Sequence, residues 1–344
     1  MSIKSFAKSE FGFVENLRSL SSTSKIGDDC AVLPKDSKTD LVITADLLVE
    51  EIDFRLNWTK PECIGHKTLA VSLSDVAAMG AKPVWAMLSI GIPAKIWETD
   101  FVKKFYEGWF RLAKKFNVEL VGGDVSKTPD KIVVDSIVAG EVKKGNAVLR
   151  SGAKAGDLIF VTGNLGGAAA GLKLLKNGER FGNSNNKNLL LRQLAPNPQT
   201  QIGQSIGAKN LATAMIDLSD GLSSDLAHIC RASKTGAKIY ADKIPINKNL
   251  KKFLTQKREN AKSPAENNFS LSSYLSLFLP YALNGGEDFE LLFTVDPKKK
   301  FLTAKQLKDQ PFSLIGEVTA NTEIIELMAG KKSEILKPKG FRHF

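Results

Sequence analysis

The chain has 344 residues, of which 43% are hydrophobic and 25% charged, a globular composition with room for two domains of ordinary size. No apolar run approaches the roughly 18–20 residues that cross a bilayer. The opening MSIKSFAKSEFGFVENLRSL sets charges among its apolar positions where a secretory leader keeps an uninterrupted core, so a cytoplasmic protein with no membrane partner is expected. The formal net charge of +11 raises nucleic acid as a partner. The lysines, however, crowd into loop-like stretches such as NKNLKKFLTQKREN and VDPKKK, with no interleaved aromatics. They read as a solvated basic surface, and no nucleic-acid partner is expected. Cys30, Cys63 and Cys230 lie far apart without a C-x-x-C, which argues against a disulfide framework or a zinc site. His66, His228 and His343 are equally scattered, and the first two sit in helical apolar patterns that suit packed or surface positions.

In chain order, residues 5–20 read as an amphipathic helix and LVITAD (41–46) as a strand. KTLAVSLSDVAAMGAKP (67–83) reads as a helix ended by Gly80, with Pro83 beyond it. VWAMLSIGIP is a strand, and Thr99 to Phe116 a helix with Thr99 as its cap. VELVGGD is a strand running into a glycine turn, and KIVVDSIVAGEV (131–142) another strand. KKGNAVLRSGAKAGD (143–157) reads as a hinge, which sets domains at 1–145 and 146–344. DLIFVTG then reads as a strand, LGGAAAGLKLLK as a helix and NSNNKN as a polar loop. AMIDLSD (214–220) is a strand entering a turn, LSSDLAHICRAS a helix ended by Gly236, and ALNGGEDFELLFTV a glycine turn followed by a strand. The Lys-, Asn- and Ser-rich residues 247–268 read as a mobile excursion.

Acidic turns recur along this frame. They are IGDDCAVL (Asp28, Asp29), TADLL (Asp46), SLSDVAAMG (Asp75), VGGDVS (Asp124), IDLSDGLSSDL (Asp217, Asp220, Asp225) and NGGEDFE (Glu287, Asp288, Glu290). Taken singly, an Asp beside Gly also marks an ordinary turn. Together they read as apolar strands ending in aspartates, the place where α/β proteins put their sites. Mg²⁺ is small and hard and takes oxygen ligands, whereas converging aspartates without a cation repel one another. The set therefore points to metal and phosphate. Asp28 is the lesser candidate beside Asp29, and Asp225, four residues past Gly221, reads as a helix-surface charge.

There is no G-x-x-x-x-G-K-[ST] and no kinase H-R-D or D-F-G set. GNLGGAAAG (163–171) reads either as a phosphate-binding turn before a helix or as close packing through small residues. Arg150, in RSGAKAGD, can clamp a phosphate with its planar fork or sit at the hinge surface.

Taken in order, IGDDCAVL, KTLAVSLSDVAAMGAKP, VELVGGD, RSGAKAGDLIFVTG, IDLSDGLSSDLAHI, GGEDFELLFTV, IGEV and the closing GF-RHF resemble the thiamine-monophosphate kinase family, over nearly the whole chain apart from 247–268. That family belongs to the ATP-binding superfamily of aminoimidazole ribonucleotide synthetase and selenophosphate synthetase. The resemblance implies two α/β (α+β) domains: an N-terminal ferredoxin-like sheet that dimerises into a barrel-like core, and a C-terminal domain with a mixed sheet. It implies Mg²⁺-dependent in-line transfer of the γ-phosphate of ATP to thiamine phosphate, with several Mg²⁺ ions, a homodimer and no dedicated general base. By position, Asp29, Thr44, Asp46, Asp75, Asp124, Asp217 and Asp220 match its metal-binding residues. Tyr106, Gly123, Asp124, Arg150 and Ser219 match its ATP contacts, and Asp53 and Glu287 match its thiamine-phosphate site. The chain departs from the family at Ala45, where a hydroxyl is common, at Val125, where threonine is common, and at Pro338, where a tryptophan often stands. Two readings of that departure stay open: Phe341 or another aromatic takes over the ring contact, or the ring is held more loosely. The alternatives are another ATP-dependent enzyme of the superfamily, such as a purine-pathway cyclo-ligase, and a non-catalytic nucleotide- or nucleic-acid-binding protein.

Overall fold

The computed structural model describes residues 10–21, 25–261 and 271–341. After α1 (Glu10–Ser21), the first half comprises β1 (Ala31–Pro34), β2 (Thr39–Val49), α2 (Pro61–Ala78), β3 (Lys82–Pro93), α3 (Ala94–Trp97), α4 (Phe101–Phe116), β4 (Glu119–Thr128) and β5 (Val133–Lys143). Its strands form a sheet in the order β1-β2-β5-β3-β4. All neighbours are antiparallel except β3 and β4, which the α4 crossover makes parallel. β2 shows the two-residue period of a half-covered strand: Val42, Thr44 and Leu48 are buried while Leu47 is 60% exposed.

The second half comprises β6 (Leu158–Thr162), α5 (Gly167–Lys176), α6 (Lys187–Leu194), α7 (Thr200–Ala208), β7 (Ala214–Asp217), α8 (Leu222–Ser233), β8 (Gly236–Tyr240), α9 (Lys248–Ala261), α10 (Leu271–Asn284), β9 (Leu291–Val295), α11 (Lys300–Gln306), β10 (Phe312–Thr319), β11 (Ile325–Ala329) and β12 (Lys332–Ile335). The sheet order is β12-β11-β8-β10-β6-β9-β7, with β11 and β8 the parallel pair. The architecture is therefore two mixed sheets, each with its own apolar core. No helix among the described residues is long and apolar enough to cross a membrane.

α2 joins the two halves. Its sequence carries no one-sided apolar stripe, and the structure buries it nearly all round, with Ile64, Leu69, Leu73 and Val76 fully inside. Gly65 on α2 and Gly108 on α4 let the two helices touch: a Cβ at either would lie 1.9 Å from a carbonyl oxygen of the other helix. At its far end, Ala77 and Ala78 pack with Ile202, Ile206, Met215 and Phe293 of the second half. A helix held this tightly can position charged groups between two domains.

Several boundaries differ from the sequence reading. α2 begins at Pro61, which suits a first helical turn because proline lacks an amide hydrogen; apolar periodicity alone placed the start at residue 67. α4 begins at Phe101, although the Thr99 hydroxyl still accepts its amide at 3.2 Å. VGGD is no turn: its glycines lie inside β4, and Gly123 (φ 153°) packs so closely that a Cβ would meet the Leu88 carbonyl at 1.8 Å. Residues 248–261, assigned to a mobile excursion, form α9, whose Leu250 and Leu254 enter the second core. The rest of that stretch, 262–268, lies outside the described residues, as do residues 5–9 of the first helix and His343.

Candidate active site

α2 brings a serine and an aspartate to the junction of the halves. Ser74 donates to Asp217 Oδ2 at 2.7 Å, and Asp75 Oδ2 accepts the Thr44 hydroxyl at 2.5 Å. Asp217 ends β7, and Asp29 precedes β1. Carboxylate oxygens of Asp29, Asp75 and Asp217 all lie within 4.8 Å of one another. Asp46, in the interior of β2, stands beside them, and its charge is among those that raise Asp75. Four segments, drawn from both halves, thus converge on one acidic point: α2, β2, β7 and the turn before β1. They do so from a helix and a strand interior as well as from strand ends, so the simple strand-end pattern holds for Asp217 but not for Asp46 or Asp75.

The electrostatics follow from crowding and dryness. Desolvation, together with the charges of Asp46, Asp217 and Asp29, pushes the Asp75 carboxyl well above the usual range. Desolvation and Asp29 push Asp217 to about 8. Desolvation, Asp135 and Asp29 push Asp46 to about 6. Asp29 is raised by burial even though the Arg150 guanidinium lies 2.6 Å from its Oδ1. Burial and the same four aspartates drive the neighbouring Cys30 thiol far up. Asp29 Oδ2 and Asp46 Oδ2 are buried with no hydrogen-bond partner. Arg150 is the cation at this cluster. Its backbone amide donates to Asp28 Oδ1 at 2.6 Å, so Asp28 holds the arginine rather than joining the acidic point.

A cleft of about 830 Å³ opens beside the cluster, lined by Asp46 and Arg150 and also by Asp53, Ser219, Glu287 and Phe341. It brings together residues that the sequence set far apart. Phe341 is half exposed, and its amide donates to the Asp220 carbonyl at 3.3 Å. Lys67 and Trp58 also line the cleft and were missed; Trp58 carries Arg55 over its ring at 5.0 Å. Nothing in their local patterns separates them from packing residues.

Other candidates sit elsewhere. Tyr106 packs against Phe105 and Phe110 in the aromatic cluster of α4 and does not line the cleft. Asp124 is exposed on the outermost strand, beside Ser89 in register. From β2 to β4 the sheet takes three inter-strand steps, about 14 Å at the usual spacing, so Asp124 stands apart from Asp46 within one chain. Asp225 is not a surface charge: it is 1% exposed, and its Oδ2 accepts the amides of Gly221 at 2.9 Å and Asp220 at 3.2 Å. It clamps the turn that carries Asp220, and one oxygen of each aspartate and a His228 nitrogen lie within 4.8 Å of one another.

The glycine-rich GNLGGAAAG is also settled. The amides of Gly166 and Ala168, at the start of α5, are taken by Asp288 at 2.5 and 3.0 Å. A carboxylate of the chain itself occupies the anion-binding end of the helix. Gly171 would place a Cβ 2.2 Å from the Leu189 carbonyl, so the small residues serve close packing. Of the acidic trio in NGGEDFE, Glu287 faces the cleft, while Asp288 and Glu290 turn inward to Arg192.

Comparison with known proteins gives the family. The N-terminal-domain model of the AIR synthase related proteins matches residues 27–142, and the C-terminal-domain model matches 154–327. The chain is 39% identical to the thiamine-monophosphate kinase of Buchnera aphidicola subsp. Schizaphis graminum, over 93% of this chain and 92% of that one. It is 36% identical to the thiamine-monophosphate kinase of Bacillus subtilis (strain 168), over 93% of each. Among solved structures, AaThiL complexed with AMPPCP and TMP aligns over 100% of both chains, with a TM-score of 0.82 and 32% identity. Two matched domains spanning most of the chain, and relatives of this similarity over nearly its whole length, place the chain in the AIR synthase related family, among its thiamine-monophosphate kinases.

Proposed function

We propose that the chain is a thiamine-phosphate kinase that transfers the γ-phosphate of ATP to thiamine phosphate, giving thiamine diphosphate and ADP. One observation carries the reading beyond family membership: three aspartates from both halves meet within 4.8 Å beside a cleft large enough for two substrates. The attacking group is a phosphate oxygen, already anionic near neutral pH, so no side chain has to take a proton from it. That oxygen bonds to the γ-phosphorus as the bond to the β–γ bridging oxygen breaks, and ADP leaves with those electrons. The demand on the protein is to bring two polyanions together in line.

The donor set fits Mg²⁺. It is all oxygen, it is crowded enough to hold protons in the absence of a cation, and it keeps unpartnered oxygens on Asp29 and Asp46. Asp29, Asp46, Asp75 and Asp217 would hold the ions at the centre, with Thr44 at Asp75 and Asp220 at the next turn. Mg²⁺, when bound, supplies neutralisation and orientation of the phosphate oxygens. Arg150, against Asp29 and facing the cleft, is placed to meet phosphate with its fork. Ser219 joins it on the ATP side, with Gly123, Asp124 and Tyr106 carried over from the resemblance alone. Asp53, Glu287 and Phe341 line the acceptor's part of the cleft.

The homodimer belongs to the same reading. The first sheet leaves Leu47, Met87, Val121 and Val125 exposed, and β4 is an edge strand, features that a second copy would cover. Domain limits at 1–145 and 146–344 and a cytoplasmic location complete the proposal. It is tested by release of ADP with thiamine phosphate, free thiamine and other phosphate acceptors. Turnover confined to thiamine phosphate supports it. Equal turnover of free thiamine would make the nucleophile a hydroxyl and sink the in-line phosphate account.

A further inference from the structure

We infer that Lys67 is a positioning residue that builds the acceptor side of the cleft by clasping its two walls together. Lys67 lies on α2, is 3% exposed and lines the cleft. Its Nζ pairs with Glu287 Oε1 at 2.5 Å and donates to the Asp53 carbonyl at 3.1 Å. One acceptor belongs to the first half and the other to the second. A buried ammonium is costly unless paired, and here both partners belong to segments that carry acceptor-side residues.

Neither segment holds its shape through regular structure alone. The Asp53 turn closes on itself, its Oδ2 accepting the Val49 amide at 2.7 Å, which leaves its carbonyl directed to Lys67. The Glu287 loop passes through two left-handed residues, Glu287 (φ 65°) and Phe289 (φ 50°). Side chains bearing a Cβ adopt that conformation where their surroundings impose it. The surroundings here are contacts to other segments. The Glu287 amide donates to the Ser219 carbonyl at 2.8 Å, Gln193 donates to Glu287 Oε2, Phe289 packs into the first core, and Lys67 holds the carboxylate. Lys67 is thus the link that fixes the distance between Asp53 and Glu287. The acidic point and Arg150 are built from other residues and do not depend on it.

This inference rests on the reading above in taking Asp53 and Glu287 as the acceptor's contacts. Its test compares Lys67→Met, Glu287→Gln and the double variant with the wild type, in steady-state kinetics with each substrate varied in turn and in thermal melting. Lys67→Met should raise KM for thiamine phosphate about tenfold or more while KM for ATP changes less than about twofold. The double variant should be no worse than the poorer single one, because one interaction is lost twice. Equal rises in both KM values, or single effects that multiply in the double variant, would overturn the clasp. Should Lys67→Met not fold, Lys67→Gln, which removes the charge but keeps a polar group, is read by the same split between the two KM values. A wild type that leaves thiamine phosphate untouched would overturn the functional reading and the acceptor named here, while non-additive melting of the variants would still report the contact.

Discussion

Two acidic clusters lie in the junction region and second half of this molecule, and they meet opposite fates. Asp288 and Glu290 are both buried, and burial raises both carboxyls. Their oxygens are nevertheless fully engaged: Asp288 by the amides of Gly166 and Ala168, Glu290 by Thr162 at 2.7 Å, and both by Arg192. Asp29, Asp46, Asp75 and Asp217 are just as crowded, but Arg150 pairs with Asp29 alone, and two of their buried oxygens have no hydrogen-bond partner. The first cluster is complete within the chain and serves the fold. The second sets one guanidinium against four carboxylates, and that deficit of positive charge is what a cation-dependent site requires.

The comparison can be broken by substitution, and the largest effect is expected at the unbalanced cluster. Asp75→Asn should lower turnover by about a thousandfold or more, with far-UV circular dichroism unchanged. An active variant with normal Mg²⁺ dependence would remove the cluster from the chemistry. At the balanced cluster the loss should fall on stability. Arg192→Met leaves two buried carboxylates unpaired and should cost about 3–5 kcal/mol in denaturant unfolding. A loss below about 1 kcal/mol would show that Arg192 is a surface-like pair and that the contrast is false.

The sign of a pH effect sharpens the same contrast. An unfolded aspartate releases its proton near 3.8, whereas native Asp217 keeps it up to about 8. A carboxyl raised in the native state therefore costs stability that is absent below 3.8, grows as pH rises and is constant above about 8. With the metal chelated, Asp217→Asn should melt above the wild type, by a margin that widens over this window. Saturating Mg²⁺ should reverse the order. A constant margin across the window would contradict the crowding argument. The smallest effect is expected at Asp225→Ala, which frees two amides and should cost about 1–3 kcal/mol, read from melting. An unchanged melting temperature would return Asp225 to the surface-charge class.

Much of this was legible in the chain and some was not, for physical reasons. Glycine-flanked aspartates announce themselves because a turn residue beside a carboxylate is a local signature, and the order of the motifs carried the family. Where each aspartate stands was less legible. Asp75 sits on a helix and Asp46 within a strand, because their convergence comes from the packing of α2 between two sheets. Asp225 was misread since a charge in the first turn of a helix can face outward or fold back on the preceding amides, and only tertiary burial decides. Lys67 and Arg192 left no signal: their partners are 220 and about 100 residues away in sequence. Residues 248–261 looked polar enough to be loose, yet Leu250 and Leu254, one helical turn apart, suffice to seat α9 on the core.

The most direct test of the unbalanced cluster is calorimetric titration of Mg²⁺ into the protein saturated with a non-hydrolysable ATP analogue, wild type against Asp75→Asn and Arg192→Met. Strong binding by the wild type and by folded Arg192→Met, with a loss of about tenfold or more in affinity for Asp75→Asn, is the predicted result. Equal affinity in the wild type and Asp75→Asn would contradict the account, because the acidic point would then not be where the cation binds.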